Sequence, residues 1–127
     1  MIFVDTNVFM YAVGGPHPLQ QTARHFLLGV FDGERVLVTS AEVLQELLHA
    51  YLPVSRRAEL DRAFTLIESC TQEIWSVEPE DIRLAWALAD THPALAARDL
   101  VHLATCTRRS VTEVMTFNRR LASAFVD

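Results

Sequence analysis

An α/β fold with a parallel sheet of about four short strands and helices on both faces is predicted by three observations. Short apolar runs alternate with longer stretches of helical periodicity. The runs are continuous rather than alternating, as in strands buried on both faces of a parallel sheet. The chain has 127 residues, half of them apolar. That is the length of one domain, residues 1–127, able to bury a core without disulfides or a structural metal.

The strands come first in the reading. Ile2-Phe3-Val4 is ended by Asp5, and Val36-Leu37-Val38 by Thr39-Ser40. Glu73-Ile74-Trp75-Ser76-Val77 is ended by Pro79, and Val114-Met115-Thr116-Phe117 by Asn118. A fifth strand before Asp127 would be very short. Between the strands lie helices at residues 18–30, 41–52, 56–70, 80–90 and 99–108. Gly33 follows the first of them, and Pro79 suits the opening position of the fourth. Residues 41–52 are the clearest: Val43, Leu44, Leu47, Leu48 and Tyr51 form one face, and Glu42, Gln45, Glu46 and His49 the other. The Cys, Met and Trp residues read as core. Cys70 and Cys106 form no CxxC pair, so they read as buried thiols in a reducing compartment.

Composition excludes several chemistries. All eleven basic residues are arginine, so there is no P-loop or Schiff-base lysine. The net charge of −5 excludes a global basic field for nucleic acid, though not local arginine patches. No apolar run approaches the roughly 18 residues of a membrane span, and the N-terminus lacks a basic leader. A soluble, cytoplasmic protein is expected.

Open parallel sheets bind ligands outside the carboxyl ends of their strands. The first strand delivers Asp5-Thr6-Asn7 to that end, and the fourth delivers Thr116 and Asn118. Glu42 and Glu46 follow the second strand, one helical turn apart. Asp99 opens the last marked helix. Three carboxylates and an amide can converge there, and such hard oxygen donors suit Mg²⁺ or Mn²⁺ rather than zinc. Each residue also has a structural reading. Asp5 can cap a helix. Glu42 completes a capping box with Thr39. Asp99 gains a few tenths to about 1 kcal/mol from the helix dipole. Glu46 has no such explanation. Asp90, near a helix end, is either solvated or an outer member of the cluster. His102 reads as packing, or as support behind a ligand. The pairs Arg56-Arg57, Arg108-Arg109 and Arg119-Arg120 read as solvated surface. Arg119 and Arg120, next to Asn118, are also candidates for an RNA backbone.

These residues resemble the PIN-domain ribonucleases, and specifically the VapC-type toxins of bacterial toxin–antitoxin pairs. Four motifs in order carry the resemblance over nearly the whole chain: Val4-Asp5-Thr6-Asn7; Thr39-Ser40-Ala41-Glu42-Val43-Leu44-Gln45-Glu46-Leu47; Asp99-Leu100-Val101-His102-Leu103-Ala104; and Thr116-Phe117-Asn118. The resemblance implies a PIN-like three-layer sandwich. It implies an endoribonuclease that cuts structured RNA, a tRNA or ribosomal RNA loop, with Mg²⁺ (Mn²⁺ as substitute) activating a water. Asp5, Glu46 and Asp99 are then the catalytic acids. Asp5 and Asp99 are metal ligands, with Glu46 and Asn118 as further candidates. Thr6, Asn7, Thr116 and Asn118 are supporting residues, and Glu42 and Asp90 are alternates. Such carboxylates should push one another's pKa values up until a cation enters. Asn118 departs from the family's usual aspartate, which weakens a second metal position. The resemblance further implies a homodimer and a small VapB-type antitoxin. Phe26, Leu27, Val30, Phe31, Leu60, Phe64 and Ile67 are candidate groove or dimer residues, or simply pack on the sheet.

The residues bear on two other functions. An aspartyl-phosphate phosphatase needs a second aspartate two residues after Asp5 and a lysine, and here stands Asn7 with no lysine at all. A catalytically weak RNA- or protein-binding module draws its support from Asn118.

Overall fold

The computed structural model describes residues 1–126, leaving Asp127 outside the described residues. Four strands carry the fold: β1 (Ile2–Val4), β2 (Leu37–Ser40), β3 (Thr71–Trp75) and β4 (Glu113–Met115). They form one parallel sheet in the order β3-β2-β1-β4. The helices are α1 (Thr6–Val13), α2 (Gln20–Leu28), α3 (Ala41–Tyr51), α4 (Arg57–Cys70), α5 (Pro79–Leu88), α6 (Ala97–Arg108) and α7 (Arg119–Val126). A 3-10 turn, Gly29–Asp32, extends α2 and stops at Gly33, whose φ of 72° is left-handed and costs glycine little.

The order of strands sets where a ligand can sit. From β1 the chain moves outward through β2 to β3, then crosses back to β4 on β1's other side. The direction of winding therefore switches between β1 and β4, which opens a crevice at their carboxyl ends. β1 is held on both sides, with Ile2 in register with Leu37 and Glu113, and Val4 with Met115. Phe3 and Val4 are fully buried on opposite faces of the sheet. The Phe3 ring meets Trp75 at 5.9 Å and the imidazole of His102 at 5.3 Å. Helices α1 to α4 contact one another, and α6 joins α5 and α7.

Several details differ from the sequence reading. Helix α1 follows β1 directly, and α7 takes the place left for a fifth strand. Strand β3 starts two residues earlier than expected. It is an edge strand with only Trp75 buried, so it is not apolar throughout. The Thr39–Glu42 capping box is absent: Ser40 is the cap residue of α3, and the Thr39 hydroxyl donates to the Val4 carbonyl instead. Trp86 is 81% exposed and Ile82 flanks it on α5, so neither is core. Leu27, Leu60 and Ile67 are buried, Phe26, Val30 and Phe64 pack on that core, and Phe31 is exposed. Cys70 and Cys106 are free and buried, and burial pushes both thiols up.

Arg108 is exposed and Arg109 half-buried, but neither is free surface charge. Both donate to the carboxylate of Asp81, at 2.7 and 2.9 Å, and Arg109 also lies 5.1 Å over the Trp75 ring. Asp81 is fully buried and accepts from the Glu78 backbone N–H, closing a capping box on α5. This clamp ties α5 to α6. Among the described residues, no helix is long and apolar enough to cross a membrane.

Candidate active site

The carboxyl end of β1 delivers Asp5 into the crevice. Its backbone is still extended (φ −76°, ψ 160°), and its N–H still pairs with the Met115 carbonyl of β4. The side chain then turns to cap α1, with Oδ1 accepting from the Thr6 N–H at 2.8 Å. Capping and exposure of a carboxylate to the cleft thus coexist in one residue. Its Oδ2 accepts from the Thr116 hydroxyl at 2.6 Å and from the Asn7 amide at 3.3 Å. Asn7 also accepts from the Phe117 N–H. The Asn7–Thr116 pair therefore locks the end of β1 to the end of β4, across 109 positions of sequence.

Glu46 comes from the middle of α3. Its Oε1 accepts from the Thr6 hydroxyl at 2.7 Å and lies 2.6 Å from Nε2 of His102, while its Oε2 faces Nε of Arg98 at 3.5 Å. Asp99 sits in the first turn of α6, where its Oδ2 accepts from the Asn118 side-chain amide at 3.2 Å. Asn118 caps α7: its Oδ1 accepts from the N–H groups of Arg120 and Leu121. Asp5, Thr6, Asn7, Glu46, Asp99 and Asn118 line one cleft of about 240 Å³ with Met10, His49, Ala50 and Arg98. Among the described residues, ligand atoms of Asp5, Glu46 and His102 all lie within 4.8 Å of one another.

Burial and charge set the proton affinities. Burial pushes Glu46 up, but the hydrogen bond and charge of His102, the Thr6 hydroxyl and Arg98 outweigh it and hold the carboxyl below its ordinary value. Burial pulls His102 down, but the bond to Glu46 and the charges of Asp5, Glu46 and Asp99 hold it above its ordinary value. Its Nδ1 is buried without a partner. Asp99 is pushed up by burial first and then by the Asp5 charge. The expected mutual upward push thus holds for Asp99 and fails for Glu46, which has an imidazole against it.

Thr116 stands just behind the cleft, bonded to Asp5. Glu42 lies outside it, raised by burial and then by Glu46. Asp90 is exposed at the end of α5 and does not belong to the cluster. Arg119 and Arg120 are exposed at the start of α7 and do not line the cleft. Two residues carry more of the site than the sequence reading allowed. Arg98 is the arginine of the cleft, and its signal was its position directly before Asp99. His102 is fully buried and touches two of the acids, and its signal was one helical turn from Asp99 on the same face.

The donor set fits a hard divalent cation. Three carboxylates from three elements face one cleft, and Asp99 keeps one oxygen with no hydrogen bond among the described residues. His102 does not read as a ligand. A metal-bound imidazole normally donates its other N–H to an acceptor, and its Nδ1 has none. His102 instead donates through Nε2 to Glu46.

Comparison with known proteins shows the family. The model of the PIN domain matches residues 2–125. Ribonuclease VapC23 of Mycobacterium tuberculosis is 58% identical over 125 residues, covering 98% of each chain. Ribonuclease VapC13 of the same organism is 37% identical over 119 residues, 94% of this chain and 91% of that one. In fold, the chain is similar to the crystal structure of M. tuberculosis VapC20, described as a sarcin-ricin loop cleaving toxin. The TM-score is 0.77 at 18% identity, covering 98% of this chain and 95% of that one. The chain belongs to the PIN-domain family and, within it, to the VapC-type ribonucleases.

Proposed function

We propose that this chain, residues 1–127 acting as one domain, is a metal-dependent endoribonuclease and the toxin of a toxin–antitoxin pair. The observation that carries this reading is the convergence of Asp5, Glu46 and Asp99, from β1, α3 and α6, on one cleft at the switch point of the sheet. Asp5, Asp99 and Glu46 would hold Mg²⁺, with Mn²⁺ as a substitute. The cation when bound lowers the pKa of a water and screens charge developing on the phosphate. The chain's own residues do the positioning. Thr6 and His102 fix one oxygen of Glu46, which leaves the other toward the cleft. Thr116 and Asn7 fix Oδ2 of Asp5, and the Thr6 N–H holds its Oδ1. Arg98 at the rim, and Arg119 and Arg120 beyond it, supply positive charge for the RNA backbone.

The substrate is a single-stranded loop in tRNA or ribosomal RNA, the part of structured RNA whose bases can be read. That substrate places the protein in the cytoplasm. A small VapB-type antitoxin is the second partner. An apolar groove of about 550 Å³ between α1, α2 and α4 suits it, lined by Val13, Leu27, Leu28 and Leu66 and rimmed by Arg24, Asp61 and Arg62. A homodimer is supported by the exposed Ile82 and Trp86, one turn apart on α5.

The test is cleavage of total tRNA and ribosomal RNA by antitoxin-free protein, with Mg²⁺ or Mn²⁺, with EDTA, and with Asp5→Asn alongside. Discrete fragments that vanish with EDTA and in the variant are expected. Cleavage that survives both would remove Asp5 and the metal from the reaction.

A further inference from the structure

Resting on the metal-dependent reading above, we propose that the cleft takes one divalent cation per chain, because Asn118 is not a ligand but a fixed cap that closes the α7 side of the site. The polarity of its side-chain amide decides this. Its Oδ1 accepts from the N–H groups of Arg120 at 3.0 Å and Leu121 at 3.4 Å. Its Nδ2 donates to Oδ2 of Asp99 at 3.2 Å. The flipped amide would set NH₂ against two backbone N–H groups and a carbonyl oxygen against a carboxylate, so chemistry permits only one orientation. The carbonyl that might have bound a metal is therefore committed to a helix start. What Asn118 turns toward Asp99 is a hydrogen-bond donor, which repels a cation.

The remaining acceptors serve a single ion. A carboxylate offers about four lone-pair sites. Asp5 spends three on Thr6, Thr116 and Asn7. Glu46 spends two on Thr6 and His102, leaving Oε2, which faces Arg98. Asp99 keeps Oδ1 free among the described residues. Mg²⁺ and Mn²⁺ commonly use one or two carboxylates and complete their shells with water, so this set suffices for one ion. A second would need another anionic donor near Asp99, and the residue there is neutral and turned the wrong way.

Asn118→Asp supplies that donor with little other change. One carboxylate oxygen keeps the α7 cap, and the other replaces Nδ2 about 3 Å from Asp99, where two carboxylates repel unless a cation lies between them. Asn118→Ser keeps a cap and removes the amide altogether.

The experiment counts Mn²⁺ bound per chain on the full-length protein, by equilibrium dialysis with electron paramagnetic resonance of the free ion. Circular dichroism checks that each variant folds. Expected are one Mn²⁺ for the wild type, one for Asn118→Ser with affinity weakened by no more than about 100-fold, as for loss of a group that only orients a ligand, and two for Asn118→Asp. Mn²⁺ should also raise the melting temperature of Asn118→Asp more than that of the wild type. Two ions in the wild type overturn this inference alone. So does a folded Asn118→Ser that loses the ion or weakens it beyond about 100-fold, or an Asn118→Asp that still takes one. No Mn²⁺ on the wild type at millimolar concentration overturns the metal-dependent reading itself, and this inference with it.

Discussion

His102 is the residue through which buried structure reaches the chemistry. It is fully buried between the Phe3 ring and the acids, and its Nε2 meets Glu46 at 2.6 Å. Groups that orient a metal-binding side chain typically cost 10–100-fold in activity when removed. His102→Leu is therefore expected to lower kcat by about that factor while leaving KM near its wild-type value, since His102 does not line the cleft. His102→Gln keeps a donor and should recover most of the loss. Steady-state cleavage of a short RNA checks both. A Gln variant as poor as the Leu variant would reduce His102 to packing. Asp5, Glu46 and Asp99 were legible as candidates because the order of strands and helices brings them to one end of the sheet, although Asp5 and Asp99 each also has a local structural reading. Asp5 ends an apolar strand, Glu46 sits where an apolar stripe meets a polar face, and Asp99 opens a helix. His102 was under-read because its partner lies 56 positions away, and no local period reports such a contact. Glu42 was ambiguous for the reverse reason: its capping box was locally plausible, but the Thr39 hydroxyl had a carbonyl of β1 within reach.

At the scale of elements, the clamp on Asp81 holds α5 against α6, the helix that carries Asp99 and His102. Burial pushes the Asp81 carboxyl up, but hydrogen bonds from Arg109, the Glu78 backbone and Arg108 outweigh it and hold the group below its ordinary value. A carboxyl depressed on folding contributes stability above its unfolded pKa, near 3.9, and that contribution is lost as pH falls through the lower folded value. Asp81→Ala should thus cost about 2–4 kcal/mol at neutral pH, because it strips partners from two arginines and a helix start. The gap between variant and wild type should narrow below about pH 4. Urea denaturation from pH 7 to 3 measures it, and a gap independent of pH would mean that the charge is irrelevant. Elements were legible where they had a period. Strands β1 and β2 and helix α3 stand close to where the sequence put them, with β2 running two residues later. Helix α1 was missed because TNVFMYAV is buried or half-buried at every position, so no polar stripe marks it. Strand β3 was displaced because it is an edge strand, where Gln72 and Glu73 face water and the apolar run stops signalling the ladder.

Across the whole molecule, an acidic protein has to hold an acidic polymer. With a net charge of −5, attraction must come from places where arginines gather and carboxylates are paired off. Six of the eleven arginines make ion pairs among the described residues: Arg108 and Arg109 with Asp81, Arg62 and Arg83 with Glu59 and Glu80 along their own helices, Arg35 with Glu34 and Arg98 with Glu46. Arg119 and Arg120 are exposed, make no ion pair among the described residues, and begin a helix whose cap, Asn118, lines the cleft. They are the best-placed free charge beside the site, although their local sequence reads as ordinary surface. Each phosphate contact contributes close to one unit to the slope of log affinity against log salt, somewhat less for single strands. Replacing both arginines with alanine in an Asp5→Asn background should therefore reduce that slope by about 1.4–1.8 and weaken binding similarly for unrelated loop sequences. Arg98→Ala should act differently. Its guanidinium faces Glu46 at 3.5 Å inside the cleft, so removing it takes away a counter-charge of the acids as well as a contact for RNA. Binding to a fluorescent hairpin from 50 to 300 mM salt separates the cases. If the Arg119 and Arg120 variant keeps the wild-type slope, RNA approaches the cleft from its α3 side, past His49, and the arginines of α7 are solvated charge alone.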